Sequence, residues 1–133
     1  MVFHPVSNCF VEDVDHVWNE CYRVLKNDGI LLAGFDNGLN YLINDDRTLP
    51  LTVVNKLPFN PLKASEEEYE RMVDNHEGIQ FSHSLEEQIG GQLKAGFILT
   101  DLYEDRDREG CGLLREYAPQ YIATRAVKKK GVI

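Results

Sequence analysis

From Asp13 onward, apolar side chains recur at steps of three and four: Val14, Val17, Trp18, Cys21, Val24 and Leu25. That spacing predicts an amphipathic helix. Asp13 stands where an N-cap is needed, and Arg23 and Lys26 complement the dipole at the far end. Asn27-Asp28-Gly29 supplies the stop, with the glycine expected at the left-handed position. Ile30 to Phe35 follows as an apolar run without alternation, the pattern of a strand buried on both faces of a parallel sheet. Helix, glycine turn and buried strand make half of a βαβ unit, and Val2-Phe3-His4-Pro5 reads as the strand before it.

The pattern then lapses. Between Asp36 and Lys63 stand three prolines, Pro50, Pro58 and Pro61, with Tyr41 and Phe59 among polar residues. Such a long connection reads as an insertion at about 37–63, with Thr52-Val53-Val54 as a short strand inside it. Ser65-Glu66-Glu67-Glu68 is a capping box opening an acidic helix to about Asn75. Ser84-Leu85-Glu86-Glu87 is a second, opening a helix through Leu85, Ile89 and Leu93 that Gly96 closes. Gly90-Gly91 in its interior implies a close neighbour. Phe97 to Glu104 reads as a strand, Asp105 to Glu116 as a charged loop, and Tyr121 to Val127 as a final strand. Two strands joined without a helix must be antiparallel neighbours. The 133 residues therefore read as one α/β domain, 1–133, with a mostly parallel sheet and a C-terminal antiparallel hairpin.

Charge narrows the partners. Fourteen Lys and Arg against 22 Asp and Glu give a formal charge of −8, which disfavours direct binding to nucleic acid. The basic cluster from Arg125 to Lys130 reads as a solvated strand end and tail. Cys9, Cys21 and Cys111 are odd in number and lack CxxC spacing, so reduced thiols are expected, with Cys21 on the apolar helix face. No apolar run approaches membrane-spanning length and no basic segment with a long apolar stretch opens the chain; a cytoplasmic protein with no membrane partner is expected. His4, His16, His76 and His83 have no ligand spacing, so no metal site is expected, and His83 reads as a surface or turn residue. There is no GxSxG, hence no support for hydrolase chemistry.

Two segments carry a family resemblance. ECYRVLKNDGILLAGF, residues 20–35, resembles the E-x-x-RVLKPGG-x-LL segment of class I S-adenosylmethionine-dependent methyltransferases. HSLEEQIGGQLKAGF, residues 83–97, resembles the following helix, which in that family commonly ends in "leaxGF" before the sixth strand. The resemblance spans Val2 to about Lys128 and implies a partial Rossmann-like sheet, with VFHP matching the end of the fourth of seven strands. The first three strands and the glycine-rich turn that holds the cofactor would precede it. No GxGxG occurs here: Gly90-Gly91 lies inside a helix, and Gly110-Cys111-Gly112 neither follows a buried strand nor opens a helix.

The resemblance implies S-adenosylmethionine as cofactor and an unidentified small-molecule acceptor. A fragment inactive by itself, its N-terminal strands missing, is the expectation. By family position His4, or its backbone, would approach the methionine part of the cofactor, and Ser7, Asn8 and Phe10 would line the acceptor site. The plainer reading is that Pro5 ends the strand and Asn8 supports a turn. Asp36, Asn37 and Tyr41 follow the fifth strand at the same rim and would suit a small polar or amine acceptor; the alternative is a solvated loop. No obligatory base can be read off, since positioning does much of the work against an activated sulfonium. A different class of function is a non-catalytic interaction module, a homo-oligomer joined through the uncovered edge of the first strand. A nucleotide-binding domain of another kind would need a glycine-rich phosphate turn, which is missing.

Overall fold

The computed structural model describes residues 1–44, 46–63, 65–76 and 78–129. Four strands form one sheet in the order β1 (Val2–Pro5), β2 (Ile30–Asp36), β4 (Tyr121–Lys128), β3 (Phe97–Asp105). β1 and β2 are parallel, and β4 runs antiparallel to both β2 and β3. The expected closing hairpin is therefore present, with β4 inserted between β2 and β3.

Helix α1 (Val14–Val24) connects β1 to β2 and buries Val14, Trp18 and Cys21. Asp13 caps it by accepting from the His16 N–H at 3.2 Å. Its other end is closed from the sheet: the Lys128 ammonium donates to the carbonyls of Tyr22 and Leu25 at 2.7 and 2.8 Å and lies 4.5 Å from the centre of the Tyr22 ring. The basic cluster is thus a helix cap at Lys128, with Lys129 paired to Asp28 at 2.8 Å, rather than a solvated tail; Lys130 lies outside the described residues. In the turn itself, Asp28 and not Gly29 takes the left-handed conformation, with φ +64°. Gly29 is needed for another reason: a Cβ there would stand 2.7 Å from the Lys26 carbonyl oxygen.

Two further helices, α2 (Leu39–Leu42) and α3 (Glu66–Asp74), lie in the long connection after β2. Ser65 caps α3 by accepting from the Glu68 N–H at 3.3 Å. Of the strand expected at 52–54, only an isolated bridge between Ile43 and Val53 forms.

The second capping box works as expected, Ser84 Oγ accepting from the Glu87 N–H at 3.1 Å. The helix it opens is not regular. A π-helical turn at Glu86–Gly90 runs into a short α4 (Gly91–Ala95), which Gly96 ends at φ +112°. The extra residue in that turn rotates the buried face. Leu85 and Leu93, expected inside, are 49% and 53% exposed, whereas Gln88 and Gln92 are fully buried. The two glutamines are held by hydrogen bonds, although Gln88 Nε2 has no partner among the described residues. Gln88 Oε1 accepts from Asn8 at 2.7 Å, and Gln92 Nε2 donates to the Gln88 carbonyl and to Thr124 Oγ1 at 3.0 and 3.1 Å.

α1 and α4 cover one sheet face and enclose the core of Trp18, Leu31, Phe35, Phe97 and Ile122. The opposite face carries Phe3, Leu32, Gly34, Ala123 and Tyr103, which share sides through the strand register. No described element covers it: Phe3 and Tyr103 are 69% and 63% exposed. β2 is accordingly buried on one face only, with Leu31, Ala33 and Phe35 inside and Ile30, Leu32 and Gly34 half-buried. No helix among the described residues is long and apolar enough to cross a membrane.

The two adjacent glycines respond oppositely to a methyl group. At Gly91 a Cβ would stand 2.6 Å from Trp18 Cδ1 and 2.9 Å from Asp15 Oδ1; at Gly90 it meets nothing nearer than 3.7 Å. Gly91→Ala is expected to destabilise by about 1–3 kcal/mol through overpacking. Gly90→Ala should stabilise by about 0.5–1 kcal/mol by removing chain entropy. Urea unfolding of both variants checks this; equal effects would contradict the packing described.

Candidate functional site at the carboxyl ends of the strands

β1 and β2 end side by side, so the turns that follow them share a rim. The chain leaves β1 through Val6, a β-branched residue held at φ +36°. Such a conformation is costly and persists only where neighbours impose it. Here the Val6 N–H donates to the Gly34 carbonyl at 2.8 Å, and a Cβ on Gly34 would touch the Val6 methyl at 3.4 Å. Val6 turns the chain over the end of β2, into a single 3-10 turn at Asn8–Phe10.

Under this turn lies a cavity of about 810 Å³, whose lining includes Cys9, Asp36, Tyr41, Phe59, Gln80 and Tyr121. Asp36 is the last residue of β2 and is 9% exposed. Tyr121, the first residue of β4, is its register partner, so both side chains project on the open side of the sheet. Asp36 Oδ1 accepts from the Gly38 N–H at 2.9 Å, and among the described residues no cation pairs with it. Burial therefore holds its carboxyl above the ordinary 3.8, a rise opposed by the Gly38 and Asp36 N–H groups and by His83. Burial, then Asp36, pushes the Tyr41 phenol and the Cys9 thiol upward as well. Tyr121 rises to about 12 through burial and the nearby Asp107. Tyr41 stacks on Phe59, ring centres 5.9 Å apart, and donates to Gln80 Oε1 at 2.9 Å. A half-enclosed, partly aromatic chamber with one buried carboxyl can bind a small polar molecule and exchange a proton with it.

The remaining candidates have other surroundings. His4 Nε2 donates to Asn8 Oδ1 at 2.7 Å, with Ser7 Oγ 3.4 Å away, and the imidazole meets the Trp18 ring edge-on at 5.7 Å. Asn8 is 1% exposed and ties His4 to Gln88. Asn37 braces the rim, donating to the Pro119 carbonyl at 2.8 Å and accepting from the Leu39 N–H at 3.1 Å. Phe10 is exposed on the outside of the turn. The cavity thus brings together Asp36 and Tyr41, whereas His4, Ser7, Asn8, Phe10 and Asn37 are not in its lining.

His83 is buried, contrary to the surface position expected for it. Its Nε2 donates to the Val11 carbonyl at 2.6 Å and lies 3.1 Å from that of Asn8, and Nδ1 is 2.9 Å from Glu87 Oε2. Both ring nitrogens are thereby tied to neighbouring oxygens. With the Phe81 N–H bonded to the Cys9 carbonyl at 2.7 Å, the ring fastens the β1–α1 turn to segment 81–87. Cys9, Phe59, Gln80 and Tyr121 escaped the sequence reading, because none carries a motif and each joins the cavity through long-range packing. Among the described residues no group of His, Cys, Asp and Glu could hold a metal ion.

No family model matches the chain. It is 42% identical over 131 residues to the uncharacterized methyltransferase YbaJ of Bacillus subtilis (strain 168), covering 96% of this chain and 50% of that protein. The chain therefore spans about half the length of the curated relative it matches. Among solved structures it is similar to an S-adenosylmethionine dependent methyltransferase from Mesorhizobium loti, with TM-score 0.65, 10% identity, and coverage of 95% of this chain and 60% of that one. It is also similar to phosphoethanolamine N-methyltransferase 2 of Haemonchus contortus in complex with S-adenosyl-L-methionine, with TM-score 0.54, 16% identity and coverage of 97% and 33%. The fold is that of the C-terminal portion of a class I methyltransferase, as the RVLK and AGF segments implied.

The buried carboxyl gives a pH signature with a definite sign. Because the folded-state value lies above 3.8, Asp36's favourable contribution is complete below 3.8 and is lost as pH rises through the raised value. Asp36→Asn keeps an oxygen for the Gly38 N–H and removes the buried charge. It is expected to raise the urea midpoint at pH 7, with the gain shrinking as pH falls toward 3.8; a gain independent of pH would contradict the burial.

Proposed function

We infer that this chain, a C-terminal portion of the class I S-adenosylmethionine-dependent methyltransferase fold, forms the acceptor side of a methyl-transfer cleft, with the acceptor a small molecule held in the Asp36 cavity. The observation that carries this reading is the cavity's place at the carboxyl ends of β1 and β2, the rim where open α/β sheets hold ligands. Its volume of about 810 Å³ suits a small molecule.

S-adenosylmethionine supplies an already activated methyl group when bound. What this chain contributes is orientation. Val6 and Cys9 form one wall, and Tyr41 and Phe59 form another. Asp36 and Gln80 offer polar partners between them. At the end of β1, His4 is oriented by Asn8 and is suited to approach the cofactor's methionine part. The chain has no GxGxG turn of its own to cradle the carboxypropyl end, so that contact is assigned to the amino-terminal half of such a domain. A cytoplasmic setting with reduced cysteines accords with three free thiols, and the charge of −8 disfavours a nucleic-acid acceptor.

Titration calorimetry tests the division of labour. S-adenosylmethionine added to this chain should give no saturable binding in the micromolar range. Added to a fusion placing the amino-terminal half of the Bacillus subtilis relative before this chain, it should bind. Micromolar binding by this chain alone would sink the division, and a folded fusion that fails to bind would sink the cofactor assignment.

A second reading, a scaffold for self-association, is favoured by one feature. β1 is an outer strand, and beside it lies the open face with Phe3 and Tyr103. Exposed edges next to apolar surface invite strand pairing with another chain. Sedimentation equilibrium is expected to show a dimer or larger species that Phe3→Glu weakens; a strict monomer at high concentration would count against it.

A further inference from the structure

We propose that the Asp36 cavity takes its ligand as an ammonium ion, so that the methyl acceptor is an amine that binds protonated and gives its proton to the Asp36 carboxylate. This rests on the methyl-transfer reading for its chemical outcome, but the binding claim stands on the cavity itself.

Three observations converge on a cation. The first is a carboxyl at the end of β2, 9% exposed, held by the Gly38 and Asp36 backbone N–H groups and forming no ion pair among the described residues, with His83 acting on it without touching it. Burying a carboxylate without a counter-charge is costly, and a cationic ligand removes that cost. The second is aromatic surface around the acid: the stacked pair Tyr41 and Phe59, and Tyr121, the register partner of Asp36. Ring faces attract organic cations, most strongly where water is excluded. The third is that neither arginine of the lining is paired with Asp36: Arg71 forms an ion pair within the lining with Glu68 at 2.7 Å, and Arg47 donates to the Gly110 carbonyl at 3.1 Å.

A metal ion would want several oxygen or nitrogen ligands, and no such cluster exists among the described residues. An anionic ligand would meet Asp36 head-on. An uncharged alcohol would leave the buried carboxylate unpaired.

Chemistry follows from the same placement. An ammonium nitrogen has no lone pair, so it must lose a proton before it can be methylated. The N–H bond breaks toward an Asp36 oxygen, the electron pair stays on nitrogen, and the acid holds the proton. The neutral amine then takes the methyl group from the sulfonium, whose carbon–sulfur electrons return to sulfur, and the proton leaves Asp36 for solvent. Asp36 is the carboxyl that lines the chamber at the end of β2 and is placed to take that proton.

The test is a binding measurement on the full chain that needs neither cofactor nor turnover. Dimethylammonium chloride and its uncharged near-isostere propan-2-ol are titrated at fixed ionic strength, following the Gly38 amide and the Tyr41 and Tyr121 ring signals by NMR. Saturable shifts with dimethylammonium are expected, with propan-2-ol and the Asp36→Asn variant each weaker by about tenfold or more. Tyr41→Leu should also weaken the cation, by a few-fold. Asp36→Asn is expected to fold, so lost binding there is not lost structure; its amide spectrum outside the cavity verifies this. Equal affinity for the two probes, unchanged binding by Asp36→Asn, or no saturable shift would overturn the proposal. Failure here leaves the cofactor titration untouched, and failure of that titration leaves the cation preference standing.

Discussion

Trp18 against Gly91 is the contact on which the rest of the structure depends. The indole is fully buried between the helix layer and the sheet, meeting Phe35 edge-on at 6.3 Å and His4 at 5.7 Å. Its approach is possible because residue 91 has no side chain. Its N–H donates to the Glu87 carbonyl at 3.1 Å, in the π-turn at Glu86–Gly90, a carbonyl that also accepts from the Gly91 N–H. The same turn swings Gln88 inward to Asn8 and leaves Glu87 beside His83. One tight contact therefore fixes α1 on α4, and through the π-turn it fixes the loop that roofs the cavity.

That roof is held by polar bonds more than by apolar packing. Asn8, His83, Gln88, Gln92 and Thr124 are all buried and linked by hydrogen bonds across the β1–α1 turn, the π-turn, α4 and β4, with Gln88 Nε2 left without a partner among the described residues. Each bond contributes little by itself, but a half-broken network leaves buried donors and acceptors unpaired. The consequence is a rim with one preferred geometry. The opposite sheet face, with Phe3 and Tyr103 exposed, has no such cover among the described residues.

Much of this was legible in the sequence, and the misses have physical causes. Helix α1, strand β2 and the closing hairpin follow from periodicity and connection length, and Gly91's close neighbour was implied by a glycine pair inside a helix. The inside and outside of the segment after Ser84 were not legible. A π-turn adds one residue to the repeat, so Leu85 and Leu93 turn outward while two glutamines turn in. Polar residues are read as exposed unless their partners are known, and those of Gln88 and His83 lie more than 70 residues away in sequence. At the rim, the sequence singles out Asp36 and Tyr41 because they follow β2, and both line the cavity. Asn8 and Asn37 shared that position but are engaged with the protein itself, a distinction that only the hydrogen-bond partners reveal.

The functional reading turns on whether Asp36 is a buried carboxyl within a formed chamber or an ordinary acid at the end of a strand. Desolvation is the largest influence on it and works against ionisation, with Gly38 and His83 opposing. The most direct measurement is a carbon-13 NMR titration of the Asp36 carboxyl in the intact chain. A midpoint above 3.8 is expected, moving downward when an ammonium ligand occupies the chamber. A midpoint at or below 3.8 would mean that desolvation does not dominate at this carboxyl, contradicting the buried, uncompensated acid on which the account rests.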